Sequence, residues 1–181
     1  MYELELKWRV GTFDKVRLAL QQLNGVCVRI EVERDMFFNH PSRNFFSTGE
    51  VLRLRRTNRG VTLTYKGSER SDSIKAREEY EIRVDDFDTA LKLLEKLGFS
   101  RALTLEKRRE VWSVRGMTVC LDQVEELGRF IEIEGFAKSL SEFKQVELKI
   151  RKLASELGLD PDKGIKESYV TMLLRRKRER V

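Results

Sequence analysis

The feature that most constrains this chain is a two-residue alternation of apolar and charged side chains, repeated in segment after segment. Successive side chains on a strand point to opposite faces, so each such segment has one apolar and one ionic side. Tyr2–Arg9 sets Glu3, Glu5 and Lys7 against Leu4, Leu6 and Trp8. Further strands are expected near Arg29–Phe38, Glu50–Thr57, Val61–Lys66, Arg77–Val84, Leu103–Ser113, Gly116–Val124 and Arg129–Phe136. Thr57-Asn58-Arg59-Gly60 has the make-up of a hairpin turn, and 39–49 and 67–73 read as longer loops. Four helices interrupt the strands. Phe13, Val16, Leu20 and Leu23 mark the first, and Phe87, Ala90, Leu91, Leu94 and Leu97, closed by Gly98, the second. Ser139 and Glu142 have capping-box spacing ahead of a third, with an apolar stripe from Leu140 to Leu157. The last ends in Tyr169–Arg178. Glu3-x-Glu5 before one helix and Glu79-x-Glu81 before another suggest a repeated unit of strand, helix and three strands.

The helices need apolar partners, so the apolar strand faces belong beneath them. The ionic faces then point at water or at each other. An antiparallel sheet with a solvated outer face satisfies any single strand. Sorting by sign is harder to explain that way, because acids recur as Glu-x-Glu on three strands while arginine or lysine pairs occupy two others. If the sheet curls until the ionic faces meet, its interior holds Glu3, Glu5, Glu79, Glu81, Asp122, Glu132 and Glu134 with Lys7, Arg53, Arg55, Lys66, Lys107 and Arg109. So many charges cannot be buried dry, so such a tunnel is wet and built for a ligand. Grouped carboxylates suit Mg²⁺ or Mn²⁺, and arginine and lysine clusters suit phosphate oxygens.

Composition narrows the partners. With 181 residues, 40% hydrophobic and 36% charged, the chain is expected to form one domain over residues 1–181, neither disordered nor membrane-spanning. No apolar run approaches the ~20 residues of a membrane span, and the opening strand leaves no room for a signal peptide. Cys27 and Cys120 are expected as free thiols in a reducing cytoplasm. The net charge of +6 comes largely from the basic tail at 175–181, whose Arg175–Arg180 run holds five bases and one acid. Without that run 31 bases face 29 acids, so nucleic acid is not the expected partner.

The ordered motifs resemble the CYTH family, the triphosphate tunnel metalloenzymes. Glu3-Leu4-Glu5-Leu6-Lys7 is similar to its Glu-x-Glu-x-Lys signature. Leu52-Arg53-Leu54-Arg55, Leu63-Thr64-Tyr65-Lys66-Gly67, Glu79-Tyr80-Glu81, Lys107-Arg108-Arg109, Leu121-Asp122 and Glu132-Ile133-Glu134 follow in order, across about residues 1–175. The resemblance implies an α+β fold, an eight-stranded antiparallel β-barrel forming a tunnel, with helices packed outside. It implies that Lys7, Arg53, Arg55, Lys66, Lys107 and Arg109 bind a triphosphate. Glu3, Glu5, Glu81, Glu132 and Glu134, with Glu79 and Asp122, would hold one or two Mg²⁺ or Mn²⁺ ions. One ion would orient the phosphates and a second would activate the attacking oxygen; Glu3, Glu5 and Lys7 would form the catalytic signature.

Single-domain length, LTYKG, Leu97-Gly98-Phe99 and Glu-Ser-Tyr near the C-terminus lean toward the class IV adenylate cyclase-like group. That group converts ATP to cyclic AMP and pyrophosphate. The alternative is hydrolysis of inorganic triphosphate, thiamine triphosphate or a nucleoside triphosphate. Outside catalysis, the basic residues alone would suit a polyphosphate- or RNA-binding module, which the paired carboxylates oppose. A homodimer is the expected assembly.

Among other residues, His40 sits in a loop before Pro41. Cys120 shares parity with Asp122 and reads as a small buried filler. Phe37, Phe38, Phe45 and Phe46 read as packing around the long loop rather than as a base-stacking site. Lys163 and Lys166 are candidates for the tunnel mouth.

Overall fold

The structure, a computed structural model, describes residues 2–179. Eight strands form a closed antiparallel barrel: β1 (Tyr2–Val10), β2 (Val26–Asn39), β3 (Val51–Thr57), β4 (Gly60–Lys66), β5 (Lys75–Val84), β6 (Ser100–Val114), β7 (Met117–Val124) and β8 (Gly128–Ala137). Their order around the wall is β1-β5-β4-β3-β2-β6-β7-β8, and β8 returns to β1. Exchanging β1–β4 with β5–β8 reproduces the same ring, so the topology has the symmetry that the repeated Glu-x-Glu suggests.

Five helices surround the barrel: α1 (Asp14–Gln22), α2 (Phe45–Thr48), α3 (Phe87–Lys96), α4 (Phe143–Glu156) and α5 (Tyr169–Arg178). The loop expected over 39–49 contains α2, a single turn started by Asn44, whose side chain accepts the Phe46 N–H. The capping box at Ser139 and Glu142 does not form. A 3₁₀ turn, Leu140–Glu142, precedes α4, and Glu142 accepts instead from the Lys138 N–H at 2.8 Å. Arg180 and Val181, the end of the basic tail, lie outside the described residues.

The apolar strand faces meet the helices. Leu4, Leu6, Trp8, Ile131 and Ile133 pack under α1 and α4 through Leu20, Ile150 and Leu153, all nearly or fully buried. Gly135 lets α4 approach: a Cβ there would lie 2.8 Å from Val146. Phe38, Leu52 and Leu54 pack against Leu91 and Leu94 of α3. α5 closes one end, setting Tyr169, Val170, Met172 and Leu173 against Phe37, Leu105 and Phe130. Most apolar faces thus turn out to the helices, the outer row at the start of β2 (Val26, Val28, Ile30 and Val32) staying exposed, and the ionic faces line the inside. No helix is long and apolar enough to cross a membrane among the described residues.

Candidate active site

The inner faces enclose a cavity of about 920 Å³. Glu3, Glu5 and Lys7 of β1, Arg53 and Arg55 of β3, Lys66 of β4 and Glu79 and Glu81 of β5 line it. So do Lys107 and Arg109 of β6 and Glu132 and Glu134 of β8. Asp122 of β7 is fully buried behind Arg109. The closed barrel thus brings together all the residues singled out by strand parity.

One wall is rich in carboxylates. Antiparallel pairing sets Glu5 opposite Glu134 across β1 and β8, and oxygens of Glu3, Glu5 and Glu134 come within 4.8 Å of one another. Lys66 bonds to Glu3 and lies 3.3 Å from Glu79. Lys7 is 3.3 Å from both Glu5 and Glu132. Burial pushes the Glu5 carboxyl up, but Lys75 and Lys7 outweigh it and hold it well below the usual range. Glu134 goes the other way: burial, with Glu3, Glu132 and Glu5 nearby, drives it up to about 8 against the pull of Arg109. Lys75, which bonds to Glu5, is brought down to about 7 by burial and by Lys7, Arg77 and Lys66.

The opposite wall is paired internally. Arg55 grips Asp35 through two hydrogen bonds of 2.6 and 2.7 Å and places its third nitrogen 2.7 Å from Glu33. Arg109 Nε donates to Asp122 at 2.6 Å, and its Nη2 bonds to Glu132. Lys107 is 3.2 Å from Asp122 and 3.3 Å from Glu33. Arg53 donates to Thr64 at 3.1 Å, and Thr64 donates to Glu81 at 2.8 Å. Tyr169, from the first turn of α5, donates to Asp122 at 3.0 Å and lays its ring 5.1 and 5.2 Å from the ammonium groups of Lys7 and Lys107.

Several lining residues escape the sequence reading. Glu31, Glu33 and Asp35 continue an alternation on β2 that begins at Arg29, the same signal as Glu-x-Glu on other strands. Lys75 and Arg77 belong to β5, which starts two residues before the expected Arg77. Arg77 is buried inside and donates to the Gly49 carbonyl at 3.0 Å, rather than lying at a frayed rim. Tyr169 belongs to the Glu-Ser-Tyr motif, but nothing in the sequence places it at the cavity, because a helix brings it to the barrel end.

The remaining candidates sort simply. His40 packs against Phe45 and Phe99 and accepts from the Ser42 N–H, outside the cavity lining. Cys120 is buried with its thiol facing Glu134 at 3.7 Å. Phe37, Phe38 and Phe45 are buried packing, whereas Phe46 is exposed. Lys163 pairs with Asp160, and Lys166 bonds the Asp72 carbonyl; neither lines the cavity.

The donor set fits a divalent cation and an anion side by side. Three converging carboxylates offer the oxygen ligands that Mg²⁺ and Mn²⁺ take, and one of them, Glu134, is held raised by burial and its acidic neighbours. The Nε atoms of Arg53 and Arg77 are buried without a hydrogen-bond partner, leaving donors for phosphate oxygens.

Comparison with known proteins agrees with this geometry. The chain is 29% identical over 172 residues to a Methanocaldococcus jannaschii protein named "Putative adenylate cyclase MJ0240", covering 95% of this chain and 98% of that one. It is 27% identical over 173 residues to adenylate cyclase CyaB of Aeromonas hydrophila, covering 94% and 88%. The solved structure of the PH1819 protein of Pyrococcus horikoshii superposes with a TM-score of 0.87 at 37% identity, covering 96% of this chain and 99% of that one. The model of the CYTH domain matches residues 1–169. With that match over its barrel and most of its outer helices, this chain belongs to the CYTH domain family.

Proposed function

We propose that this protein is a metal-dependent enzyme acting on a triphosphate, and that it cyclises ATP to cyclic AMP and pyrophosphate. The observation that carries the reading is the convergence of Glu3, Glu5 and Glu134 on one wall of a cavity whose other wall holds Arg53, Arg55, Lys107 and Arg109. Arginine forks suit bidentate contact with phosphate oxygens, so Arg53, Arg55 and Arg109 bind and orient the chain of phosphates. Lys7, Lys66 and Lys107 neutralise its charge as point cations. Glu3, Glu5 and Glu134, with Glu79, Glu81, Asp122 and Glu132 around them, would hold Mg²⁺ or Mn²⁺. When bound, such an ion supplies charge neutralisation and lowers the pKa of a coordinated oxygen nucleophile. In cyclisation the ribose 3′-hydroxyl gives up its proton to water, its oxygen bonds to the α-phosphorus, the bond from that phosphorus to the bridging oxygen breaks, and pyrophosphate leaves.

The adenylate cyclase names of both relatives favour cyclisation. A second reading, triphosphate hydrolysis, follows from the cavity itself, whose charged groups address phosphate oxygens whatever the phosphates are attached to. Free Cys27 and Cys120 fit the reducing cytoplasm that we propose for the protein.

The test is to incubate the protein with ATP, and separately with inorganic triphosphate, in Mg²⁺ and then Mn²⁺, and to resolve products by anion exchange. Cyclic AMP with pyrophosphate supports the cyclase. Orthophosphate without cyclic AMP makes it a triphosphatase. No turnover, with triphosphate binding unchanged or tighter in the Glu3→Gln, Glu5→Gln double variant, reduces it to a binding module.

A further inference from the structure

The barrel wall is continuous, but its strands differ in length, and part of β2 has no neighbour on one side. β6 pairs with β2 along its whole length, from Val26 to Asn39. β3 pairs only with Arg34–Phe38, because it turns into the β4 hairpin at Thr57. Residues 26–33 therefore present backbone N–H and C=O groups along an open edge. A comparable stretch on β1 is covered: beyond Glu5, where β5 ends, the Ile165 segment bridges Lys7 through two backbone hydrogen bonds of 3.2 and 2.7 Å. No such strap reaches β2 among the described residues.

Native edges are blunted with lysine, proline or inward charge. Inward charge is present here in Arg29, Glu31 and Glu33, but Arg29 and Glu31 have opposite signs and can pair across a seam, and the outer row is Val26, Val28, Ile30 and Val32, exposed by 63, 57, 51 and 44%. A row of four exposed β-branched residues beside unpaired backbone marks an interaction surface.

We propose that this edge pairs with the same edge of a second copy, making a two-fold antiparallel homodimer centred on Ile30. The sequence selects both the partner and the register. In an antiparallel pair, residues directly opposite share a face, so a two-fold pairing must be centred on a residue. Centred on Ile30, Val28 of each copy lies opposite Val32 of the other, and Ile30 meets Ile30. On the inner face Arg29 of each copy lies opposite Glu31 of the other. Moving the centre to residue 29 sets Arg29 against Arg29, and moving it to 31 sets Glu31 against Glu31, both like-charge pairs. Within one chain Arg29 already bonds to Glu31 at 2.7 Å, so the two side chains are long enough and complementary enough to exchange partners. The pairing spans about five residues. The irregularity between Cys27 and Arg29 bends the strand away at one end, and the hairpin at Thr57 stops it at the other. Isologous contact of this kind closes at two copies.

β5 has another open stretch, beyond Glu78 where β1 begins; its outer row there has two large apolar residues, Tyr80 and Ile82, and its inner row is Glu79 and Glu81, which face the proposed metal site. β6 has a third, over residues 100–105 before its pairing with β7 starts at Lys107, and its outer row there is Ser100, Ala102 and Thr104, with no large apolar residue. β2 is therefore the edge selected for pairing.

Sedimentation velocity of the full chain, loaded from micromolar to hundreds of micromolar, reads the outcome. The expected result is a species of twice 21.3 kDa that Ile30→Lys converts to monomer, since lysine then faces lysine at the centre. Arg29→Glu alone is expected to give monomer, and Arg29→Glu with Glu31→Arg to restore the dimer, because the exchange preserves every opposite pair. Thermal melting of each variant separates loss of the dimer from loss of the fold. A monomer at every concentration overturns the proposal. So does a dimer that survives Ile30→Lys, or one abolished by Ile82→Lys instead.

Discussion

On the side of the cavity formed by β2, β3, β6 and β7, Glu33, Asp35 and Asp122 each face an arginine or lysine at ion-pair distance. On the β1–β8 side, Glu3, Glu5 and Glu134 converge on one another. The two walls use the same residue types and end in different electrostatic states. Arg55 and Lys107 hold Glu33 far below the carboxylate range despite its burial, together with Arg109, while burial and like charge lift Glu134 to about 8. The first wall is neutralised by its own cations and supports itself. On the second, Lys66 bonds to Glu3 and Lys75 to Glu5, and Glu134 is the member of the trio left raised. The difference fits the proposed division of labour: arginines preorganised by acids for phosphate, and a carboxylate trio for a cation.

The largest expected effect comes from unpairing the neutralised wall. Asp35→Ala leaves Arg55 and Arg53 buried beside a gap. Removing one partner of a buried pair costs about 3–5 kcal/mol, read as a shift in the urea midpoint at unchanged slope. Inorganic triphosphate should stabilise this variant more than the wild type, because an anion can replace the lost carboxylate. Equal stabilisation of both would break the idea that these arginines serve the ligand.

Opening the other wall should cost activity above all. Glu5→Gln removes one member of the carboxylate trio and leaves a polar isostere. Turnover of the active triphosphate should fall on the order of 10²–10³-fold, and the melting temperature without metal should also fall, because the buried Lys7 and Lys75 lose a charged partner. The stabilisation that Mg²⁺ gives the wild type should shrink. A variant with full turnover would move the cation site away from Glu5.

How much of this was legible in the sequence depends on what places each residue. Strand parity alone sorts Arg53, Arg55, Glu132 and Glu134 onto ionic faces, since a two-residue period leaves only two, and closure of the sheet turns those faces inside. The same rule applies to Glu31, Glu33 and Asp35, which alternate with Val28, Ile30 and Val32. Those valines and Ile30 are in fact exposed, so apolar character marked the outside without marking a packed layer. Lys75 was lost to a strand boundary, the least certain part of any strand. Tyr169 reaches the cavity only because α5 folds across the barrel end, a long-range event with no local signature. The absent capping box at Ser139 shows the converse: a correct local motif gave way to the 3₁₀ turn that leads into α4.

Titration sharpens the contrast between walls at smaller cost. The folded-state pKa of Glu134 lies at about 8 against an ordinary 4.5. A raised carboxyl binds its proton in the folded state while the unfolded chain has released it, so its contribution is complete below 4.5 and is lost as pH rises toward 8. Metal-free protein should therefore lose stability from about 4.5 to 7, on the order of 2 kcal/mol, and the decline should flatten above 7, where Lys75, lowered to about 7, contributes in the opposite sense. Glu134→Gln should flatten the decline, and Mg²⁺ should offset it most near pH 8, where the carboxylate is free to bind. A wild-type profile that rises through pH 5–8 without metal would place the uncompensated charge elsewhere.

The smallest effect should come from Tyr169, which joins the neutralised wall from outside the barrel. Tyr169→Phe keeps the ring over Lys7 and Lys107 and removes only the hydroxyl that donates to Asp122. Asp122 retains Arg109 and Lys107, so the loss is that of one hydrogen bond among several, about 1 kcal/mol by equilibrium unfolding, with little change in turnover. If the cations of that wall do hold Asp122, the double variant Tyr169→Phe, Lys107→Met should lose more than the two single variants together, because each partner then covers for the other. A loss near 3 kcal/mol from Tyr169→Phe alone would mean that the hydroxyl, rather than Arg109, anchors Asp122. That wall would then depend on a helix docked across its end.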